Sequence, residues 1–390
     1  MTTMAIDNKE KEVLNVPHLR FPEFSGEWYS YPLTDFMSFK NGMNPDAKRF
    51  GHGTKFISVM DILNNQFIRY DNIRASVEVI AGDIETYGVN YGDILFQRSS
   101  ETLEDVGQAN VYLDSKPAVF GGFVIRGKSK GNYHPMFFRY LLASPTARKR
   151  IIVKGAGAQH FNIGQDGLSK VYLDIPSIQE QEKIAKLLEC IDDRIATQNK
   201  IIDKLQSLIK GIRNDVFGKL RKDIGLNAKV GDVLSYEQPQ PYIVEDTEYT
   251  AGGTPVLTAN KAFVLGYTSE TDGIYDKGDC IIFDDFTLDC KYVDFPFKVK
   301  SSAIKILTAK NKELLRYTFE FLKYLDLSTD EHKRHYIAET QNQEFILPTT
   351  QIVRTIAHAF STLSSRMQTI VKQRDMLELQ KQYLLRQMFI

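Results

Sequence analysis

Cysteine is scarce in this chain. Cys190, Cys280 and Cys290 are too few and too widely spaced for a disulfide framework or a cysteine metal cluster, and they point to a reducing, cytoplasmic setting. No apolar run reaches the length of a membrane span, and residues 1–16 are too polar for a signal peptide. Formal net charge is zero, so no uniform field draws the chain to a polyanion. Nucleotide and catalytic signatures are missing too. There is no G-x-x-x-x-G-K-[ST] phosphate loop, and Gly155-x-Gly157 lacks the third glycine of a dinucleotide turn. No Asn/Asp-Pro-Pro-aromatic tetrad of a methyltransferase occurs; Asn44-Pro45-Asp46 reads as a turn. Glu331-x-Lys333 near Asp326 outlines a nuclease carboxylate set, but in a charged linker where such residues meet by chance. Only His332-x-x-His335 has metal-like spacing; without a companion ligand it reads as solvated loop. The residues predict a chain that binds rather than catalyses and holds no cofactor or metal.

What is present is ordinary in bulk and informative in its arrangement. Hydrophobic content of 43% and charged content of 25% suit globular protein, and 390 residues allow two or three domains. Charge is unevenly spread. Residues 18–172 carry 18 Lys/Arg against 15 Asp/Glu, residues 228–345 carry 13 against 20, and residues 346–390 carry 6 against 2. A nucleic-acid partner must therefore be held by local basic patches.

The organising stretch is 176–217. Ile184, Leu188, Ile191, Ile195, Gln198, Ile202, Leu205, Ile209, Ile212 and Val216 recur in alternating steps of four and three, the heptad seam of a coiled coil. At 1.5 Å per residue, about 40 residues make a helix roughly 60 Å long. Pro176 stops the preceding segment, and Ser177 with Glu180 predicts a capping box. A second copy lies 172 residues on, carrying Pro176 onto Pro348, Ile184 onto Ile356, Leu205 onto Leu377 and Phe217 onto Phe389. Its seam is Ile356, Phe360, Leu363, Met367, Ile370, Leu377 and Leu384, with Arg374 and Lys381 where the first copy has Ile202 and Ile209. If the two helices pair antiparallel, these cations come near Asp192-Asp193.

Each long helix follows a compact part. In the first, a lead-in segment bears the only Trp, Trp28. Short strands are predicted at 55–59, 77–80, 93–96, 109–113 and 122–125, then a helix over 135–144 and a strand over 170–175. The second repeats the order at 255–258, 278–283, 302–306 and 314–325, by pattern and not by identity. Binding features gather in the loops. Arg148, Lys149, Arg150 and Lys154 offer cations to phosphates beside Gln159, His160 and Asn162, whose polar groups suit base edges. Arg98 and Ser99 follow a buried strand and project. Asn260, Lys261, Lys333, Arg334, Gln341 and Asn342 hold the matching places in the second part. Removing the charges of Arg148, Lys149 and Arg150 is expected to weaken DNA binding irrespective of base sequence.

The opening Pro176-Ser177-Ile178-Gln179-Glu180-Gln181-Glu182-Lys183-Ile184 resembles the P-x-x-x-E-Q-x-x-I start of the long helices in specificity subunits of type I restriction-modification systems. The close of that helix, the 19–28 stretch LRFPEFSGEW and the strand Gly92-Asp93-Ile94-Leu95-Phe96 are also similar to that family, and the likeness runs over residues 17–390. The second helix departs from it, opening Pro348-Thr349-Thr350-Gln351 without Glu-Gln. The resemblance implies an α+β chain with two pseudo-repeated α/β target recognition domains separated by two long helices in an antiparallel coiled coil. The domains would be 1–172 and 218–345 (connector 218–227), and the helices 173–217 and 346–390. It further implies recognition of bipartite double-stranded DNA, two methyltransferase subunits docked on the helices, and restriction/translocase subunits beside them. S-adenosylmethionine, ATP and Mg would then belong to those bacterial, cytoplasmic partners. The start at Met1 and the two-copy layout read as a whole chain. The competing readings are a coiled-coil interaction scaffold that binds no DNA, and the recognition half of a single-chain restriction-methylation enzyme without its catalytic part.

Overall fold

The computed structural model describes residues 14–157, 160–259, 262–329 and 334–390. They form two compact units, Met1–Thr197 with Gln373–Ile390 and Gln198–Lys372.

Unit 1 runs through β1 (Tyr29–Pro32), β2 (Met37–Asn41), β3 (Phe50–Ile57), α1 (Val59–Leu63), β4 (Ala75–Val77), α2 (Asp83–Tyr87), β5 (Ile94–Gln97) and β6 (Ser99–Ser100). There follow β7 (Ala109–Val111), β8 (Val119–Phe120), β9 (Val124–Ser129), α3 (Pro135–Ala143), α4 (Pro145–Ile152), β10 (Phe161–Asn162), α5 (Gln165–Ser169), β11 (Tyr172–Ile175) and the start of α6 (Ile178–Asp223). The central strand β5 is buried on both faces, which is why Ile94, Leu95 and Phe96 read as an unbroken apolar run. It lies in a four-stranded sheet ordered β2-β9-β5-β7, beside a three-stranded sheet β4-β3-β8 whose β3–β8 pair is parallel and a β1–β11 pair. The break between α3 and α4 is set by Ser144-Pro145. Proline disfavours a helical residue before it, and Ser144 turns its hydroxyl to accept the Ala147 N–H, starting the next helix.

Unit 2 contains the end of α6, then β12 (Ala228–Lys229), α7 (Val230–Val233), β13 (Leu234–Glu237), β14 (Thr254–Leu257), β15 (Val264–Thr268), β16 (Cys280–Asp284) and β17 (Cys290–Val293). It continues with β18 (Lys298–Val299), β19 (Ile304–Ala309), α8 (Leu314–Leu325), β20 (Glu344–Phe345) and the start of α9 (Thr350–Gln387). Its sheets are ordered β13-β19-β16-β17, β15-β14-β18 with β14–β18 parallel, and β12-β20. Sheet for sheet this repeats unit 1, although few residues are shared. The ribbon β6–β10 and helix α4 have no counterpart among the described residues of unit 2.

Each unit is closed beneath by the start of one long helix and the end of the other. In unit 1, Ile184, Leu188 and Ile191 of α6 share a core with Leu384, Met388 and Phe389 at the chain's end. Phe389 packs against Trp28 (centroids 6.4 Å) and Phe137 of α3 (5.6 Å). In unit 2, Phe217 near the end of α6 packs against Tyr317 and Phe321 of α8 (5.3 and 5.5 Å), beside Ile356 and Phe360 of α9. Within each unit, early positions of one helix thus meet late positions of the other, so the segments run antiparallel. Ile184, Leu188, Ile191, Ile202, Ile356, Phe360 and Leu384 are buried; Ile195, Leu205, Ile209, Leu363, Met367, Ile370 and Leu377 are half-buried, as a narrow coiled-coil seam requires.

Three local expectations need correction. The capping box is half formed: the Glu180 N–H reaches Ser177 Oγ at 3.4 Å, but the Glu180 carboxylate turns to Arg20 at 2.7 Å. Lys381 does reach Asp192, at 2.6 Å, whereas Arg374 bonds Asp375 on its own helix. His335 is buried, not solvated, with Nδ1 2.9 Å from Glu339 Oε2; its companion His332 lies outside the described residues, as do Glu331 and Lys333.

Candidate nucleic-acid interface

In unit 1 the loop after β5 and the loop after α4, far apart in sequence, are zipped into one ribbon. Ser99 and Ser100 pair antiparallel with Asn162 and Phe161. The Ser99 hydroxyl donates to Asn162 Oδ1, and the Ile163 N–H donates to the Arg98 carbonyl at 2.9 Å. The second loop is folded back by reciprocal Ala156–Asn162 backbone bonds of 2.9 and 2.8 Å. Gly157 permits this. Its φ of +143° is open to glycine, and a Cβ there would sit 2.0 Å from the His160 carbonyl oxygen. Arg98, Ser99, His160, Asn162 and Lys154 thus share one edge of unit 1, and the His160 and Lys154 side chains are exposed. Gln159 lies outside the described residues.

The basic cluster on α4 divides. Arg148 turns inward: Nη2 donates to the carbonyls of Glu104 and Val106 at 2.8 and 2.7 Å, and burial lowers its pKa from the usual arginine value. Arg150 pairs with the Asp174 carboxylate at 2.7 Å and donates to the Tyr172 carbonyl. Those two guanidiniums fasten α4 to the 104–106 loop and to β11, so within unit 1 both already have partners where the sequence offers them to phosphates. Lys149 and Lys154 remain exposed.

At the corresponding corner of unit 2 the charge is internal. The Asp285 carboxylate accepts the N–H groups of His335 and Tyr336 at 3.1 and 2.8 Å, with Lys305 Nζ and Arg334 Nη1 each 3.6 Å away. Lys305 is buried, which lowers its pKa, and it donates to Gln238 Oε1. Glu320 is likewise buried between Arg213 and Arg316. Part of the acidic excess of residues 228–345 is therefore spent inside the fold rather than facing a partner. Arg334 keeps an exposed guanidinium over the Phe286 ring. Gln341 and Asn342 donate to the Ile337 and Ala338 carbonyls of their own turn, and Asn260 and Lys261 lie outside the described residues. Among the described residues no three His, Cys, Asp or Glu side chains gather closely enough to hold a metal ion, and no helix is long and apolar enough to cross a membrane.

Residues 25–207 match the family model of the type I restriction modification DNA specificity domain. Over 126 residues the chain is 45% identical to the EcoR124I/EcoR124II specificity subunit of Escherichia coli, covering 30% of this chain and 31% of that protein. Over 220 residues it is 24% identical to the MjaVIII specificity subunit of Methanocaldococcus jannaschii, covering 54% and 46%. The matched stretches thus span less than half the length of these curated relatives. Among solved structures, the S subunit of a type I restriction-modification system from M. genitalium aligns over 96% of this chain and 99% of its own, with TM-score 0.59 and 14% identity. A chain from a structure of type I R-M complex assembly aligns over 95% and 98%, with TM-score 0.51 and 12% identity. Residues 25–207 are therefore similar to the type I restriction modification DNA specificity domain, and the chain as a whole shares the fold of the solved S subunit from M. genitalium.

Proposed function

We propose that this chain is the non-catalytic specificity subunit of a type I restriction-modification complex and reads a bipartite double-stranded DNA target. The observation that carries this reading is the duplication: one sheet arrangement is built twice, each time closed by the paired ends of two long helices. A chain with two like readers suits a target with two specified halves, as half-site spacing in dimeric readers follows protein geometry. Residues 1–172 and 218–345 are the target recognition domains, and 173–217 and 346–390 the spacer helices. Two methyltransferase subunits dock on those helices and the restriction/translocase subunits join them in the cytoplasm. S-adenosylmethionine, ATP and Mg belong to those partners.

Met376, Leu379 and Tyr383 on α9 support the docking part of this reading, since they stand exposed at helical spacing. The test is co-expression with a cognate methyltransferase, followed by genome-wide mapping of N6-methyladenine. A split motif with a constant gap is the expected result. A stable complex that leaves DNA unmethylated would instead make the chain an interaction scaffold.

A further inference from the structure

Phe123 is 69% exposed, unusual for a phenylalanine, and its backbone is held firmly. It ends the tight connection between β8 and β9. There the Gly121 N–H donates to the Ile57 carbonyl at 3.0 Å, Val124 N–H to the Gly121 carbonyl at 2.9 Å, and Gly42 N–H to the Val124 carbonyl at 3.1 Å. The turn is also packed against the chain beneath it, since a Cβ on Gly122 would sit 2.0 Å from Asn44 Oδ1. A ring left in water on an ordered turn suits a contact surface better than a core that failed to close.

Its surroundings indicate which surface. The Arg98 N–H donates to the Phe123 carbonyl at 2.9 Å, and Arg98 Nη1 to the Gly122 carbonyl at 3.3 Å. Phe123 is therefore the immediate neighbour of the β6–β10 ribbon. It borders a cleft of about 400 Å³ whose walls include Met43, Phe50, Phe56 and Met60, with no acidic side chain lining it among the described residues. The Arg98 guanidinium, held to the Gly122 carbonyl, stands at the border of this apolar patch.

Unit 2 has the same corner with different side chains. Gln97 pairs with Val124 as Asp284 pairs with Ile304, and the Arg98-to-Phe123 backbone bond recurs as Asp285 N–H to the Ala303 carbonyl at 2.8 Å. Arg98 and Phe123 in unit 1 thus correspond to Asp285 and Ala303 in unit 2. The fold accepts alanine at this position, so the phenylalanine is not required for the turn.

We propose that Phe123 is a specificity-determining residue that reads the C5-methyl group of a thymine in the half-site bound by unit 1. The proposal rests on the DNA-specificity reading above and names one contact within it. In the major groove the thymine methyl is the one apolar group a base edge presents, so it is the counterpart of an exposed ring beside the Arg98 guanidinium.

The test uses the full-length chain assembled with its methyltransferase partner and duplexes of the mapped target. Each thymine is replaced in turn by deoxyuridine, which lacks only that methyl. Wild type is expected to lose about fourfold in affinity at one thymine of one half-site, the worth of one buried methyl group. Phe123→Ala is expected to bind the two duplexes equally at that position while keeping the wild-type melting temperature, and Phe123→Leu to keep part of the difference. The proposal is overturned if Phe123→Ala retains the wild-type deoxyuridine profile. A uniform loss on all duplexes, which marks a wedge or backbone contact, overturns it as well, as does release of the methyltransferase. Failure of wild type to distinguish target from scrambled duplex would sink the specificity reading itself. Intact target discrimination with an unaltered deoxyuridine profile in the variant removes only the role of Phe123.

Discussion

Lys381→Met tests whether a charge on the heptad seam is structural. The ammonium of Lys381, on α9, lies 2.6 Å from Asp192 on α6 and 5.6 Å from the centre of the Tyr140 ring, all within unit 1. The Asp192 side chain is only 7% exposed and also accepts the Tyr140 hydroxyl at 2.8 Å. Methionine keeps the length and apolar stem of lysine, so packing is conserved and the charge alone is lost. Breaking a fully buried pair leaves an uncompensated ion and costs about 3–5 kcal/mol. Here Tyr140 remains, and Lys381 keeps 27% of its side chain in water, so about 2 kcal/mol is the better figure. For a unit of this size that corresponds to a fall of about 4–8 °C in melting temperature. Calorimetric melting of the wild type, Lys381→Met, Asp192→Asn and the double variant gives the coupling directly. A coupling below about 0.5 kcal/mol, the value of an exposed pair, would refute the reasoning. So would loss of the coupling in about 0.5 M salt, which screens surface charges far more than enclosed ones.

Other outcomes follow from the same contacts. Phe389→Ala removes a buried ring from Trp28 and Phe137 and is expected to cost about 3–5 kcal/mol. Because Trp28 is the only tryptophan, its emission should shift to the red; unchanged emission would contradict the packing. Lys154→Ala is expected to lower the slope of log affinity against log salt by about 0.9, one phosphate contact. Arg148→Ala should leave that slope alone and lower the melting temperature instead, because it frees the Glu104 and Val106 carbonyls; the reverse pattern would restore Arg148 as a phosphate ligand. Burial, then the charges of Asp193 and Asp192, raise the pKa of Glu189. Its unfolded form therefore ionises first, and stability present at low pH is lost as pH rises from the ordinary glutamate value to the raised one. Glu189→Gln should flatten melting temperature against pH in that window, and parallel curves for the two proteins would refute this. Inserting a heptad near Gly211 is expected to change the gap between methylated half-sites at constant base preference, and a changed base preference would argue against the helix as a spacer.

The sequence by itself determined the long helices, because a heptad seam is a local pattern and proline marks its start. It also determined the duplication, since Phe217 and Phe389 hold matching positions 172 residues apart. Helix α8 was legible for the same reason: Leu315, Phe321 and Leu322 fall on one apolar face of an uninterrupted segment. The strands were legible in order but not in extent. β9 begins at Val124, after the Gly121-Gly122 turn that composition alone merges with it. Only the tertiary structure decided how the two copies share their helices, with Phe389 closing unit 1 and Phe217 closing unit 2. Only it decided which charges are available. Arg148 looks like Lys149 in sequence, yet it serves carbonyls more than forty positions away, and Asp285 is buried by groups on separate strands and turns. The physical reason is one of range. Periodicity and turn chemistry are written within a few residues, whereas the burial of a charge and the exposure of a ring such as Phe123 depend on which distant segments the fold brings beside them.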